Sequence, residues 1–383
     1  MNVLYDFQAF FMQTHGGVSN CFVELIKHLP DDVKYYLGVK ESNNIHLLDS
    51  NLLTDVKPIC NRLESFCNKI HLSDSAFSYL RDKMLFKYIS KSRNKQYTIE
   101  LLKSKKIDVF HPTYYNSYFM EHLNGVPFVL TVHDLIHERF ANYYKRTQKS
   151  SLQRRELASK AAHIIAVSNT TKEDIIKYWN IDEDKISVIY HAANPMEVAD
   201  TKPVLDCPYI LYVGGRNKYK NFGLFVANLK NVFNKYPDLK LLCTGVDFSQ
   251  KEKDNFRKYG LSDRIVHYFA KDIDMPRLYR NAKCFVFPSL YEGFGIPILE
   301  AYSNNCIVLL NKKSCFPEIA GDAAVYFTLD EQTSDVSEAL DRVLQFDEEQ
   351  RKAQIDKQNE RLKLYSWVKS ANQLADIYRK VCK

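Results

Sequence analysis

The stretch from Phe285 to Ala301 reads Phe-Val-Phe-Pro-Ser-Leu-Tyr-Glu-Gly-Phe-Gly-Ile-Pro-Ile-Leu-Glu-Ala, and it decides how the rest of the chain is interpreted. Its apolar, aromatic start predicts a buried strand. Gly293 and Gly295 then allow a tight turn or a close approach to a ligand, and Pro297 is favoured in the first turn of a helix. The order of strand, tight loop and helix start directs free amides and a positive dipole end at one place, which suits a phosphate.

Two carboxylates flank this predicted phosphate site. Glu292 lies in the loop and Glu300 about one turn into the helix. Neither suits a phosphate, but both can accept hydrogen bonds from sugar hydroxyls. A diphosphate between two such acceptors is the outline of a nucleotide sugar. The alternative is that Glu300 only complements the helix dipole, as acidic residues in first turns often do.

The segment Glu-Gly-Phe-Gly-x-Pro-x-x-Glu resembles the Glu-x7-Glu signature of retaining glycosyltransferases with the GT-B fold, specifically glycosyltransferase family 4. Similar segments occur along nearly the whole chain. The resemblance implies an α/β fold with two Rossmann-like, doubly wound domains that face a central cleft, and a C-terminal helix that returns to the N-terminal domain. We predict an N-terminal domain at 1–195, a proline-containing linker at 196–208, a C-terminal nucleotide-sugar-binding domain at 209–365 and the returning helix at 366–383.

Composition is typical of a globular protein of two ordinary domains, with 383 residues, 45% of them hydrophobic and 26% charged. We find neither a long apolar run nor a signal peptide, so we expect a cytoplasmic protein. Nine scattered cysteines without metal-site spacing predict small buried thiols. The net charge is +7, and the basic stretch 81–95 can attract an anionic membrane surface, although a solvated helix face explains it as well. We find no nucleic-acid-binding motif, so no nucleic-acid partner is expected.

A glycine pair follows the first predicted strand, at Gly16 and Gly17, and a helix with Phe22 on its apolar face comes next. Strand, glycine loop and helix open a doubly wound domain, although a lone Gly-Gly can also be a simple turn. The full dinucleotide fingerprint and the P-loop lysine are both missing. The loop resembles the N-terminal glycine loop of the family, which lies near the donor diphosphate and the acceptor.

The segment Thr131-Val132-His133-Asp134 ends another predicted strand. Polar residues at such strand ends lie where ligands bind in open α/β sheets, and a His-Asp pair can orient an imidazole. A buried structural histidine would look the same in sequence. The resemblance implies that His133 contacts the donor sugar, and His111 is a second candidate for the same cleft. It also implies that residues 40–105 shape the acceptor site.

The second domain begins with a strand that ends at Gly214-Gly215, and Arg216, Lys218 and Lys220 follow at once. Cations after such a turn suit a diphosphate, and a solvated basic loop is the alternative. The resemblance favours Lys220, because Tyr-Lys-Asn stands at the place of the family's Arg-Lys-Asn, whereas Arg216 aligns less clearly. It also places the nucleobase against the backbone near Tyr268 to Ala270.

The resemblance implies transfer of a sugar with retention of configuration, and the cations and the helix amides after Gly295 would stabilise the departing diphosphate. Two segments, Asp272-Ile-Asp274 and Asp182-Glu-Asp184, formally match a metal-binding pattern, but we interpret both as surface and expect no metal and no cofactor. The acceptor would be a glycan or a lipid-linked glycan in surface polysaccharide biosynthesis. The alternatives are a nucleotide-sugar 2-epimerase of the same fold and a noncatalytic nucleotide-sugar-binding subunit.

These arguments yield two sets of candidate residues. We predict catalytic roles for Glu292, Lys220, His133 and Arg216, and donor binding by Gly16, Gly17, Gly214, Gly215, Tyr268, Phe269, Gly293, Phe294, Gly295, Ile296 and Glu300.

Overall fold

A computed structural model describes residues 1–59, 76–144, 148–194, 200–216 and 218–383, with the side chains of all these residues except 76–86 and 148. Within this part of the chain, the strands pair in parallel in two separate groups, one in each half of the sequence. The strand of the central motif, Cys284–Phe287, is buried in the second group. The prediction of a buried strand before the motif loop is therefore confirmed.

The first sheet is built from short strands of the N-terminal half. They are β1 (Asn2–Tyr5), β2 (Lys34–Leu37), β3 (Val109–His111), β4 (Val129–Val132), β5 (His163–Ala166) and β6 (Ile186–Val188). Two ladders, β2-β1-β3 and β4-β5-β6, are joined where Phe110 of β3 bridges to Phe128 just before β4. The carboxyl ends of these parallel strands meet at one edge, where ligands bind in such sheets.

The second sheet has the order β12-β11-β10-β7-β8-β9. Its strands are β7 (Tyr209–Tyr212), β8 (Lys240–Cys243), β9 (Ile265–His267), β10 (Cys284–Phe287), β11 (Val308–Asn311) and β12 (Val325–Phe327). The strands β7, β10 and β11 are buried along their whole length, because helices cover both faces of a parallel sheet. The chain reverses its direction of winding between β7 and β10, and this is the position at which doubly wound sheets bind ligands.

Helices connect the strands in both halves. In the first half they are α1 (Gln8–Met12), α2 (Gly17–Lys27), α3 (Ile45–Leu48), α4 (Ala76–Ser104), α5 (Ile136–Arg139), α6 (Gln148–Lys160) and α7 (Asn169–Asp174), which continues as a π turn over Ile175–Trp179. In the second half they are α8 (Phe222–Ala227), α9 (Lys230–Lys235), α10 (Gln250–Tyr259), α11 (Met275–Asn281), α12 (Ile296–Ser303), α13 (Phe316–Ala320), α14 (Val336–Leu344), α15 (Glu348–Leu362) and α16 (Trp367–Val381). Single 3-10 turns lie at Met120–His122, Glu183–Lys185, Lys218–Lys220, Asp272–Asp274 and Gly321–Ala323.

The last helix, α16, lies against the first sheet. The Tyr378 hydroxyl is 2.7 Å from the Tyr5 hydroxyl of β1 and 2.6 Å from Nδ1 of His111 in β3. Arg379 pairs with Asp32 at the surface of the same domain. The prediction that the C-terminal helix returns to the N-terminal domain is therefore confirmed.

Glu318 of α13 joins the two halves at a second place. Its carboxylate accepts hydrogen bonds from the backbone amides of Asn169 and Thr170 at the start of α7, at 2.6 and 3.1 Å. The Tyr190 hydroxyl donates to the same carboxylate at 3.0 Å. Since an anion at a helix start also meets the positive end of the dipole, Glu318 is a structural clamp between the domains.

Several general predictions can be compared with the described residues. No helix among them combines the length and the apolar character needed to cross a membrane. The cysteines are free and mostly buried, at Cys21, Cys243, Cys284, Cys306 and Cys315, while Cys207 is partly exposed and Cys382 is exposed. Part of the predicted linker, residues 196–199, lies outside the described residues. So do residues 60–75 and the side chains of 76–86 in the predicted acceptor region 40–105, and both predictions stay open.

Candidate functional site

Lys220 and Glu292 meet at the carboxyl edge of the second sheet. Lys220 follows β7 and Glu292 follows β10, and these two strands are neighbours. The Lys220 ammonium nitrogen lies 2.6 Å from Oε1 of Glu292, and the two side chains are only 17% and 12% exposed. Burial on its own would lower the pKa of Lys220, but the carboxylates of Glu292 and Asp134 and the Tyr219 hydroxyl together raise the pKa above its usual value. The site therefore holds a firmly charged cation beside a carboxylate.

The loop that carries Glu292 is braced from the next strand. Ser314, just after β11, donates its hydroxyl to the Glu292 carbonyl at 2.9 Å and accepts from the Glu292 amide at 3.3 Å. The Cys315 thiol donates to the Glu292 and Phe294 carbonyls, each at 3.2 Å. Our sequence reasoning assigned neither residue a part in the site. Their position in the sequence could have identified them, since both follow closely after a buried strand that ends at the same sheet edge.

Gly295 starts the helix of the motif in a conformation that favours glycine. Its φ is +92°, in the left-handed region, and α12 begins at the next residue. A β carbon on Gly17 of the first domain would lie 4.0 Å from Cδ1 of Ile296. The predicted N-terminal glycine loop, including Gly16, therefore approaches the start of α12 and the positive end of its dipole across the domain boundary. In this first turn Pro297 has no amide hydrogen, and the Ile298 amide donates to the Gly295 carbonyl at 2.9 Å.

Glu300 lies in α12 and receives a hydrogen bond from the Tyr279 hydroxyl at 3.1 Å. Burial raises the pKa of this carboxyl to about 7, the Tyr279 bond opposes that rise, and the negative charge of Asp272 adds to it. Asp272 in turn lies 3.9 Å from Nδ1 of His15, at the start of the N-terminal glycine loop. The two domains thus approach each other beside Glu300.

His133 lies at the end of β4, and its Nε2 is buried without a partner among the described residues. Burial lowers the pKa of His133 to about 4, so the imidazole is neutral at pH 7. Among the described residues no hydrogen bond joins Asp134 to the His133 ring, and orientation of the imidazole by Asp134 stays a prediction. The Asp134 carboxylate instead accepts from the Ile136 amide at 3.2 Å and lies 3.8 Å from the buried Arg154 guanidinium, and a ring of His191 stacks on His133 at 5.8 Å.

His111 does not serve as a ligand group. Its Nδ1 is 2.6 Å from the Tyr378 hydroxyl and its Nε2 is 2.9 Å from the Thr131 hydroxyl. Both ring nitrogens are therefore engaged, and the residue is fully buried. His111 holds α16 on the first sheet instead of facing a donor.

Arg216 points away from the Lys220–Glu292 pair. Its guanidinium donates to Oε1 of Glu252 at 2.6 Å and to the carbonyls of Val246 and Asp247 at 2.5 and 3.0 Å. The side chain is only 4% exposed. In this arrangement its charge is neutralised by a carboxylate of the capping box of α10, and its diphosphate role stays a prediction.

Some of the remaining donor-binding candidates are exposed at the edge of the second domain, and one, Phe294, is buried. Gly214 has a φ of +104°, and Gly215 accepts a hydrogen bond from the Tyr212 hydroxyl at 2.6 Å, so this turn lies open at the end of β7. Phe269 is 78% exposed beside Tyr268, which accepts from Arg277 at 2.7 Å. The ring of Phe294, in contrast, packs among aromatic rings of both domains and is only 4% exposed. Only its backbone is available to a donor.

The two formal metal patterns are engaged in local structure. Asp274 pairs with Arg277 at 2.7 Å, and Asp182 accepts from the Asp184 amide in a 3-10 turn. Within the described ranges, no group of three or more His, Cys, Asp or Glu side chains is arranged to hold a metal ion. Metal independence stays a prediction.

Two family models match the chain in succession. The model described as Glycosyltransferase Family 4 matches residues 75–196, and the one described as Glycosyl transferases group 1 matches residues 197–361. The chain is also 28% identical over 241 residues to the O-antigen chain mannosyltransferase RfbU of Salmonella typhimurium. That match covers 62% of this chain, which thus spans about 60% of the relative.

Solved structures show the fold. Sucrose-phosphate synthase from Thermosynechococcus elongatus superposes with a TM-score of 0.73 and 16% identity, over 99% of this chain and 98% of that one. HepE from Anabaena, solved in complex with UDP and glucose, gives a TM-score of 0.68 and 17% identity, over 99% and 100% of the two chains. The two-domain GT-B fold predicted from the motif is confirmed.

Proposed function

Since the chain belongs to the group 1 glycosyl transferases of glycosyltransferase family 4, we propose that it transfers a hexose-type sugar from a nucleotide-sugar donor to a glycan or lipid-linked acceptor. The reaction proceeds with retention of anomeric configuration and without a metal. The product enters surface polysaccharide biosynthesis. Mannose is the first donor sugar to test, because the Salmonella relative is named as an O-antigen chain mannosyltransferase.

The observation that carries this proposal is the 2.6 Å contact between Lys220 and Glu292 beside the start of α12. When the anomeric bond breaks, positive charge grows on the sugar and negative charge on the diphosphate. Lys220 and the positive end of the α12 dipole stabilise the negative charge where it develops. Glu292 then exchanges part of its contact with Lys220 for hydrogen bonds from the sugar hydroxyls.

Two further groups complete the donor site. Glu300 accepts hydrogen bonds from the ribose hydroxyls in its ionised form. His133 offers a neutral imidazole nitrogen to the donor sugar from the opposite domain. Because the site residues offer no dedicated base, the departing phosphate takes the proton of the acceptor hydroxyl.

We also propose that the protein works in the cytoplasm, in peripheral contact with the membrane face. In the basic stretch 81–95, the Tyr88 side chain is 71% exposed. Three cations of the same stretch contact other parts of the protein. Arg93 pairs with Glu41, and the ammonium groups of Lys87 and Lys95 lie over the rings of Phe11 and Tyr118. Binding to vesicles with and without anionic lipid tests this contact, and equal retention on neutral vesicles would contradict it.

The test of the proposed function is turnover with a panel of UDP-, GDP-, ADP- and dTDP-sugars, each with glycan and lipid-linked acceptors, in buffer with EDTA. We expect one donor to yield a glycoside that keeps the anomeric configuration of the donor. Glu292→Ala should reduce the rate by about a hundredfold or more while the protein stays folded. An inverted product, or activity that disappears with EDTA, would contradict the retaining and metal-independent parts.

The same panel separates the alternatives. A nucleotide-sugar 2-epimerase would release free 2-epimer from the donor without any acceptor. A noncatalytic subunit would bind a donor, as seen from a rise in melting temperature, and would turn over with none of the acceptors. Either outcome would replace the proposed transfer reaction.

A further inference from the structure

A second concave site lies on the other side of the turn that carries Lys220. It has a volume of about 970 Å³, near the upper end of the roughly 300–1,000 Å³ common for ligand pockets. Tyr143 of the first domain borders it on one side, and Asn221, Asn255, Leu290 and Gln332 of the second domain form part of the wall. The pocket therefore lies at a domain boundary but outside the Lys220–Glu292 contact.

The pocket is close to the reaction centre along the chain. Lys218 lines it, while Lys220 of the same 3-10 turn faces Glu292. The Leu290 amide donates to the Tyr219 carbonyl at 2.8 Å, which ties this turn to the motif strand. Leu290, in the pocket wall, and Glu292 are two residues apart, and two residues of extended chain span about 7 Å.

The charges of the lining argue against an anionic ligand. Three cations, Arg216, Lys218 and Lys251, are matched by three carboxylates, Glu252, Asp330 and Glu331. Arg216 and Glu252 already form a pair at 2.6 Å, so one of the three lining cations is neutralised. A phosphate or a pyrophosphate would meet as many negative as positive groups, whereas a neutral polar ligand would meet no repulsion.

The unengaged polar groups fit sugar hydroxyls. The side-chain amides of Asn255 and Gln332 form no hydrogen bond with the described protein, and each offers both a donor and an acceptor. A hydroxyl also donates and accepts, so a polyol matches such amides better than an ion does. Tyr143 adds an aromatic ring that is 49% exposed, with Phe140 stacked on it at 5.9 Å and the Lys218 ammonium 5.0 Å from its centre.

We propose that this pocket binds neutral hexose units of the glycan acceptor, at a distance from the unit that receives the sugar. The inference rests on the proposed function, because it assumes a glycan acceptor. It adds the second domain to acceptor recognition, which the sequence placed only in residues 40–105. A longer acceptor would reach the pocket, and a short one would not.

The test is binding of neutral hexo-oligosaccharides to the full chain in the absence of donor. A panel of tri- to pentasaccharides of mannose, glucose and galactose is titrated by calorimetry and by saturation-transfer NMR. We expect at least one pentasaccharide to bind, and Asn255→Ala and Gln332→Ala to weaken that affinity about threefold to tenfold each. Asn372→Ala, an exposed amide on α16, is the matched control and should leave the affinity unchanged.

Other outcomes overturn the inference. One is that no oligosaccharide of the panel binds. Another is that an oligosaccharide binds but the pocket variants leave its affinity unchanged. A third is that pyrophosphate binds to the wild type and that this binding is lost in Asn255→Ala. Donor binding, followed by thermal shift, should be unaffected by these variants. If no donor binds or reacts while the binding of an oligosaccharide still depends on Asn255, the proposed transfer reaction is wrong and the pocket assignment stands on its own.

Discussion

Gly293 and His133 touch through their backbones: a β carbon on Gly293 would lie 1.7 Å from the His133 carbonyl oxygen and 2.9 Å from its carbonyl carbon. The Ser168 hydroxyl, also of the first domain, donates to the Gly293 carbonyl at 2.7 Å. Since φ at Gly293 is not positive, the glycine is required by the close approach of the two domains. The first glycine of the motif is thus an interdomain contact as well as part of a loop.

We predict that Gly293→Ala lowers the free energy of unfolding by about 1–3 kcal/mol, because a backbone segment must move to admit the methyl group. Urea unfolding measures this loss. The control is Gly223→Ala in α8, where a β carbon would meet no atom within 4 Å. A Gly293→Ala protein as stable as the wild type would show that the domains do not meet here in solution.

The central motif was predictable because its chemistry is local. A buried strand, two glycines, a proline and two carboxylates stand within seventeen residues, so pattern alone places Glu292 at a sheet edge. Partners from elsewhere in the chain were not predictable in this way. Ser314 braces Glu292 from another strand, and the contact of Gly293 with His133 exists only once the domains have packed.

Two side chains and two strands depart from the sequence pattern for physical reasons. Arg216 follows a glycine turn as a phosphate ligand would, but a carboxylate 36 residues later in the capping box of α10 holds it. Asp134 follows His133, but the buried Arg154 attracts its carboxylate. The strand β2 (Lys34–Leu37) is partly exposed at the sheet edge and β12 (Val325–Phe327) has only three residues, so neither shows a clear apolar pattern.

Lys220→Ala should weaken donor binding about tenfold or more and lower kcat about a hundredfold to a thousandfold, because the departing diphosphate loses its cation and Glu292 is left unpaired. Donor titration and initial rates measure the two effects. Lys230→Ala is the matched control, since it removes an exposed cation of α9 that does not contact Glu292. Equal losses in both variants would show that general charge, and not the pair, supports the site.

Donor affinity should rise with pH through the range in which Glu300 ionises. The pKa of Glu300 is raised to about 7 in the free protein, and ribose hydroxyls donate more strongly to the ionised carboxylate than to the protonated acid. Affinity should therefore increase about tenfold from pH 6 to pH 8 and level off above. A nucleotide sugar is the ligand of choice, because the terminal phosphate of a nucleoside diphosphate would itself titrate. Glu300→Gln should give a flat profile, and an equally steep profile in that variant would contradict the assignment.

Acid should destabilise the protein through four buried histidines. Burial lowers the pKa values of His111, His133, His163 and His191 to about 3, 4, 4 and 3, from an ordinary 6.5. Below pH 6.5 the unfolded chain therefore binds protons that the native protein does not, and stability falls by up to about 1.4 kcal/mol per histidine per pH unit. Urea unfolding between pH 7 and pH 5 measures this slope. His191→Asn should reduce the slope by about a quarter, and an unchanged slope would mean that His191 is protonated in the folded state.

Glu318→Ala should loosen the clamp between α13 and α7. The carboxylate accepts from two backbone amides, from the Thr170 hydroxyl and from the Tyr190 hydroxyl, and the truncated side chain would leave these donors without a partner. Because hydrogen bonds to a charged group contribute about 1.5–3 kcal/mol, we expect a loss of about that size in the free energy of unfolding. Glu360→Ala is the control, since that side chain is 72% exposed and pairs only with Lys363 of its own helix segment among the described residues. Small-angle scattering measures whether the domains separate. A larger radius of gyration in Glu318→Ala, but not in the control, would show that the carboxylate holds the domains together. An unchanged radius and an unchanged stability would show that the contacts at Gly293 and α16 are sufficient.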